Sequence, residues 1–180
     1  MKFVNIEAEG SAYKGLVKEL YESAFPEAEK KPFAAMEALA AEGKMELMAL
    51  VDREWVGLAF FMLSEKTVIL DYFAISDVLR GGGYGSKAVS MIIERFQDKK
   101  LIFEIERLDE GAKNAEERAR RKAFYLRNGM KETGVFANVY HTDFELLTPD
   151  GILDYKDYER MLEWILGEKG LEIIQPREIK

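Results

Sequence analysis

Residues Arg80 to Gly85 read Arg-Gly-Gly-Gly-Tyr-Gly, and what flanks them leaves few folds open. Ahead of them, Thr67 to Ile75 is almost wholly apolar or β-branched, the pattern of a strand buried on both faces, with Asp71 as its polar exception. Behind them, Ala88, Val89, Ile92, Ile93 and Phe96 recur at helical spacing. A strand, a glycine turn and a helix in that order place the helix's first, unpartnered N–H groups and the positive end of its dipole at the turn. With no Cβ atoms in the way, the phosphates of another molecule can reach those N–H groups, and Arg80 adds a charged donor. The segment predicts a cradle for a pyrophosphate or a similar dianion.

Two common phosphate loops fit poorly. A Walker A loop needs lysine before serine or threonine, and here Ser86 precedes Lys87. A dinucleotide fingerprint opened by Gly81 and Gly83 meets Ser86 where its third glycine belongs. What does match is Arg-x-x-Gly-x-Gly over Arg80 to Gly85, preceded by Leu-Asp-Tyr-Phe-Ala-Ile-Ser. In this the sequence resembles the GNAT superfamily of acyl-CoA-dependent N-acetyltransferases, whose motif grips the pyrophosphate of coenzyme A.

With 180 residues, 48% of them hydrophobic and 12% aromatic, a single domain with a substantial core is expected, residues 150–180 forming a C-terminal helical extension. No apolar run approaches the roughly 20 residues of a membrane helix. The N-terminus, Met-Lys-Phe-Val-Asn-Ile-Glu, has no apolar signal-peptide core. A cytoplasmic protein without a membrane partner is expected. The absence of cysteine excludes disulfides, cysteine-ligated zinc and a thiol nucleophile, and a lone histidine, His141, excludes a two-histidine mechanism. No metal site is expected, and proton transfer falls to carboxylates, tyrosine or water. A net charge of −7 argues against nucleic acid and suits a cationic substrate, although solubility alone would also account for it.

Along the chain, Lys2 to Glu7 reads as a strand. Ser11 to Phe25 reads as a helix with Ser11 as its cap and Pro26 as its stop, and Phe33 to Ala41 as a second helix entered at Pro32. Met45 to Val51 and Glu54 to Leu63 form a hairpin about Asp52-Arg53. The uncharged run from Trp55 to Leu63 marks a central strand. Leu101 to Glu106 follows the glycine-turn helix and completes a strand-helix-strand crossover, parallel to Thr67–Ile75. Its alternation sets Glu104 and Glu106 on one face, about 6.5–7 Å apart along the strand. Glu116 to Arg127 is a helix ended by Asn128-Gly129. Two strands then cover Met130 to Val139 and His141 to Leu147. The tail adds a helix from about Asp154 to Leu166, stopped by Gly167, and a strand at Leu171 to Ile174. The fold class is α+β: a mixed, mostly antiparallel sheet of about six to seven strands flanked by helices.

The resemblance carries roles for particular residues. It implies acetyl-CoA as co-substrate and direct acetyl transfer to a primary amine of a small molecule or peptide. Coenzyme contacts fall on the backbone of Phe73, Ala74 and Ile75, with the Phe73 N–H polarising the thioester carbonyl, and on Arg80, Gly81, Gly82, Gly83, Tyr84, Gly85 and Ser86. The helix end Phe124-Tyr125-Leu126-Arg127-Asn128-Gly129 reproduces the family's aromatic-Tyr-x-x-x-Gly spacing and makes Tyr125 the candidate proton donor to the leaving thiolate. Where the family often has an asparagine contacting the coenzyme, this chain has Arg118, which with Arg121 suits a phosphate, and Asn114 is a substitute. Glu104 matches a family position used as base; Glu106, Asp71 and a water relay are its rivals. Tyr21, Phe25 and Phe33 line either the acceptor pocket or the core. The aromatic stripe of the tail helix suits packing, a homodimer contact or a cap over the acceptor. The alternative function is a non-catalytic acyl-CoA-binding or regulatory domain of the same fold.

Overall fold

The computed structural model describes residues 1–7 and 11–180, with the backbone alone at residues 11 and 28. In chain order the elements are β1 (Lys2–Asn5), α1 (Ser11–Ala24), α2 (Phe33–Ala41), β2 (Met45–Asp52), β3 (Glu54–Leu63), β4 (Thr67–Ile75), α3 (Tyr84–Arg95), β5 (Lys100–Glu106), α4 (Ala115–Arg127), β6 (Lys131–Val139), β7 (Thr142–Thr148), α5 (Tyr155–Ile174) and β8 (Arg177–Ile179). Short 3-10 turns occupy Glu27–Glu29 and Asp77–Leu79. The Ser11 cap expected for α1 lies outside the described residues. Among the described residues, five helices and eight strands that pair mostly antiparallel make the expected α+β fold, β8 being the strand the count of six to seven left out.

The chain packs as two compact units, Met1–Leu63 with Leu70–Ile92, and Ser64–Ile69 with Ile93–Lys180. In the first, the strands run β1-β2-β3-β4, and β1, β2 and β3 pair antiparallel. The uncharged strand β3 is indeed internal, and Val56 to Met62 are all buried. Helix α1 lies on β3 and α2 on β2. Their stripes, Val17, Leu20 and Tyr21, and Phe33 and Met36, are buried, each large apolar side chain stabilising the fold by about 2 kcal/mol.

In the second unit, β5 enters beside the start of β4, the Lys100 N–H donating to the Lys66 carbonyl at 2.8 Å. From there β5, β7, β6 and β8 follow in antiparallel order. Helix α4 covers β5 and β6, and α5 covers β6. The α5 stripe, Tyr155, Tyr158, Met161, Leu162 and Ile165, is buried within this unit, while Trp164 on the other side is exposed.

Two expectations need correcting. Leu171 to Ile174 is helical, because Leu171 and Ile174 fall at helical spacing and α5 resumes after a break at Gly167 (φ 66°, ψ 178°). The last strand comes later, Arg177–Ile179 beside Phe136–Asn138. His141 does not begin a strand. It shares the two-residue β6–β7 turn with Tyr140, both at positive φ (47° and 66°), the handedness that matches strand twist. Among the described residues no helix is long and apolar enough to cross a membrane.

Candidate active site

The glycine turn of the first unit is open where a ligand would need it. Gly81 (φ 80°) and Gly83 (φ 78°) adopt the left-handed conformation, and nothing stands within 4 Å of where a Cβ on either would point. At Gly82 a Cβ would press on the Tyr84 ring at 3.2 Å and the Leu79 carbonyl at 3.3 Å. Helix α3 begins at Tyr84, and its first bond, from the Lys87 N–H to the Gly83 carbonyl, is 3.1 Å. The N–H groups of Tyr84, Gly85 and Ser86 belong to the turn whose donors a helix leaves unpartnered. Arg80 flanks the turn: its guanidinium pairs with Asp77 at 2.7 Å and donates from Nε to the Ile75 carbonyl at 3.4 Å, and its side chain is 60% exposed. An exposed pair of this kind is weak, so the guanidinium can exchange Asp77 for a bound anion. On the opposite side Lys87 pairs with Asp52 at 2.8 Å.

Ahead of the turn, β4 presents Phe73, Ala74 and Ile75, and sequence reasoning missed what shapes this stretch. A Cβ on Gly57 of β3 would overlap the Ala74 carbonyl oxygen and crowd Ile75 Cα at 3.1 Å. The β2–β3 register also slips beside this point, between Leu50 and Val51, and the Ser76 N–H reaches the Val56 carbonyl at 2.9 Å. Glycine 57 therefore allows the close approach of strands that carries the β4 backbone into its turn.

The three aromatic residues named for the acceptor pocket or the core meet in one cluster. Tyr21 contacts Phe25, Phe33, Phe60 and Tyr72 with ring centroids 4.8–5.8 Å apart. Tyr21 is fully buried and Phe33 nearly so, which makes both core residues, whereas Phe25 is only half-buried. Burial first, then the neighbouring Tyr72 hydroxyl, pushes the Tyr21 phenol up from its ordinary pKa. Asp71, beside Tyr72, is held by Lys31, a partner no sequence pattern announced.

In the second unit, Glu106, Asn114, Arg118 and Arg121 form one network. Arg118 Nη2 and Arg121 Nη1 lie 2.6 and 3.2 Å from the Glu106 carboxylate, and Asn114 Nδ2 donates to it at 3.2 Å. Arg118 also donates to Asn114 Oδ1 at 2.8 Å and to the Arg107 carbonyl at 2.9 Å. Glu106 is buried, so two guanidinium groups offset the charge it carries into the protein. Glu104, two residues earlier, is half-buried with Oε1 shut from solvent. An open depression of about 400 Å³ lies over the start of α4, lined by Lys113, Asn114, Glu116, Glu117 and Arg120 among others.

Tyr125 sits one turn after Arg121 on α4, buried, with its ring edge-on to Phe103 (5.1 Å) and Phe124 (5.3 Å). Burial pushes its phenol up to about 12 despite the Arg121 charge, so it holds its proton throughout the neutral range. At the helix end Asn128 Nδ2 donates to the Phe124 carbonyl at 2.7 Å, and Gly129 (φ 97°) turns the chain away.

No family model and no curated protein matches the sequence. Solved structures do. A protein from Bacteroides thetaiotaomicron assigned to the GNAT family of acetyltransferases superposes with a TM-score of 0.75 at 21% identity, over 93% of this chain and 99% of its own. An aminoglycoside 6′-N-acetyltransferase solved with coenzyme A gives 0.61 at 17% identity, over 82% of this chain and 96% of its own. The spermidine N-acetyltransferase of Vibrio cholerae, solved with CoA and spermine, gives 0.61 at 10% identity, over 85% and 98%. The likeness extends over almost the whole of each neighbour. The protein has the fold of the GNAT acetyltransferases.

Proposed function

We propose that the protein is an N-acetyltransferase that uses acetyl-CoA and acetylates a primary amine of a small molecule or peptide. The observation that carries this reading is the turn at Gly81 and Gly83, open on the side a Cβ would fill and set at the mouth of α3. The fold it shares with acetyltransferases solved with coenzyme A supports the same reading.

In this reading acetyl-CoA, once bound, supplies the thioester whose acetyl group is transferred. The N–H groups of the Gly81–Ser86 turn and the exposed Arg80 guanidinium hold its pyrophosphate, and the backbone of Phe73, Ala74 and Ile75 orients the pantetheine arm. The Phe73 N–H serves as a single oxyanion donor. Tyr125, protonated at working pH, supplies the proton for the departing thiolate, and its buried phenol releases that proton only to a strongly basic leaving group. Glu104, at the position the family resemblance gives to the base, takes the proton released by the amine, with Glu106, Asp71 and a water relay as its rivals; Glu106 carries ion pairs to Arg118 and Arg121.

Thiol release from acetyl-CoA across a panel of primary amines tests the reading. Amine-dependent release supports it. Tight acetyl-CoA binding without release would instead mark a non-catalytic acyl-CoA-binding domain.

A further inference from the structure

We propose that Asp71 and the Tyr72 ring form the ammonium subsite for the acceptor, and that Lys31 fills this subsite from within the chain until a lysine-like primary alkylammonium displaces it. This rests on the amine-acetylating reading above and names both the class of acceptor and the residue that competes with it.

Lys31 Nζ lies 2.6 Å from Asp71 Oδ1 and 5.1 Å from the centre of the Tyr72 ring. An ammonium is thus held by a carboxylate and an aromatic face together, the pairing by which proteins recognise alkylammonium ligands. The Asp71 side chain is only 5% exposed, and its second oxygen, Oδ2, is sealed from solvent with no hydrogen-bond partner among the described residues. A purely structural ion pair that leaves half of a buried carboxylate unused is a poor bargain, because the desolvated oxygen gains nothing in return. A free ligand ammonium carries the same three donors as Lys31 without the tether that fixes how Lys31 approaches Asp71.

The loop that carries Lys31 is held by its backbone. The Lys31 N–H donates to the Tyr72 hydroxyl at 3.0 Å, that hydroxyl donates to the Glu29 carbonyl at 2.7 Å, and the Tyr21 hydroxyl donates to the Lys31 carbonyl at 2.9 Å. Lys30 is fixed separately, to Glu22 and Glu27 at 2.6 and 2.8 Å. Backbone bonds to two core tyrosines therefore hold the loop whichever side chain stands at position 31. At 35% exposure the Lys31 side chain can turn out into water, which uncovers Asp71 from that side. Its own shape, an unbranched alkyl stem ending in an ammonium, describes the ligand that fits. The affinity for such a ligand is lowered in proportion to the time Lys31 spends in place.

The test is titration of the full chain with n-pentylammonium, without acetyl-CoA, so that binding is read apart from catalysis. Lys31→Ala should tighten binding roughly tenfold. Lys31→Arg should weaken it, since a guanidinium grips a carboxylate with two bonds. Lys31→Ala combined with Asp71→Asn should show none of the gain. Binding equal in the wild type, Lys31→Ala and Lys31→Arg would overturn the inference without any need for the Asp71 variant to fold, and so would a gain that survives Asp71→Asn. The two readings fail separately. The expected titrations with no thiol release would remove acetyl transfer and keep the subsite, while amine-dependent thiol release with an unchanged KM in Lys31→Ala would do the reverse.

Discussion

The Ala74 carbonyl oxygen occupies the space that a Cβ on Gly57 would need. One glycine on β3 thus fixes how the last residues of β4 run into the phosphate turn. Gly57→Ala should force the Ala74–Ile75 backbone aside and destabilise the protein by about 2 kcal/mol, the usual cost of overpacking a filled site. A denaturant midpoint measured against the wild type reads this directly, and an unchanged midpoint would show that β4 yields without strain.

Glu106 is buried against two guanidinium groups. Arg118→Ala should cost about 3 kcal/mol, because it removes the nearer charge and leaves a desolvated carboxylate underpaired. Adding Glu106→Gln should recover much of that loss. Chemical denaturation of the single and double variants measures the coupling. On the rate of acetyl transfer the order reverses: Glu104→Gln should lower kcat more than Glu106→Gln.

Much of this was legible in the amino-acid order. The glycine turn announced itself because Gly81 and Gly83 sit between an uninterrupted apolar strand and a helical stripe, and a local pattern of that kind survives any packing. The Phe124–Gly129 helix end was equally plain. Gly57 was not, since its reason lies across the sheet in Ala74, and a lone glycine in an apolar strand has several explanations. Lys31 was hidden for the same cause, its partner Asp71 lying 40 residues away. The Tyr140-His141 turn escaped because neither residue is the asparagine or glycine that usually marks positive φ. Alternation put Glu104 and Glu106 on one face of β5, but nothing in the sequence showed that Arg118 and Arg121 of α4 would pair with Glu106.

Three buried tyrosines, Tyr21, Tyr125 and Tyr155, make an alkaline limit. Burial raises the phenols of Tyr125 and Tyr155 to about 12, in Tyr155 with help from the Glu159 and Glu178 charges. An unfolded phenol loses its proton near 10, so above that pH the unfolded chain gives up protons that the folded chain keeps. The stability these phenols contribute should be constant up to about pH 10 and fall above it, the Tyr125 and Tyr155 share between about 10 and 12, with Tyr21 prolonging the decline. Thermal midpoints across that range check the sign; a rise would contradict it.

The Tyr155 hydroxyl is buried with no hydrogen-bond partner among the described residues. Tyr155→Phe should therefore stabilise the fold by up to about 1 kcal/mol, since it relieves an unmet polar group and keeps the ring. It should also flatten part of the alkaline decline. A loss of stability would mean that the hydroxyl is satisfied by ordered water.

Tyr125→Phe separates chemistry from binding. The ring contacts with Phe103 and Phe124 survive the change, so acetyl-CoA affinity should stay within about twofold while kcat falls by roughly 100-fold, the scale of a lost general acid. Steady-state rates against amine concentration measure it, and an unaltered kcat would remove Tyr125 from proton transfer.

The most direct measurement is calorimetric titration of acetyl-CoA into the wild type and Gly83→Glu. The cradle account predicts wild-type binding on the order of 10 µM, weakened at least about a hundredfold when a carboxylate fills the open side of the turn, takes the positive helix end for itself and repels the pyrophosphate. Equal affinity in the two proteins would contradict it, because the pyrophosphate could not then be held at Gly81–Ser86.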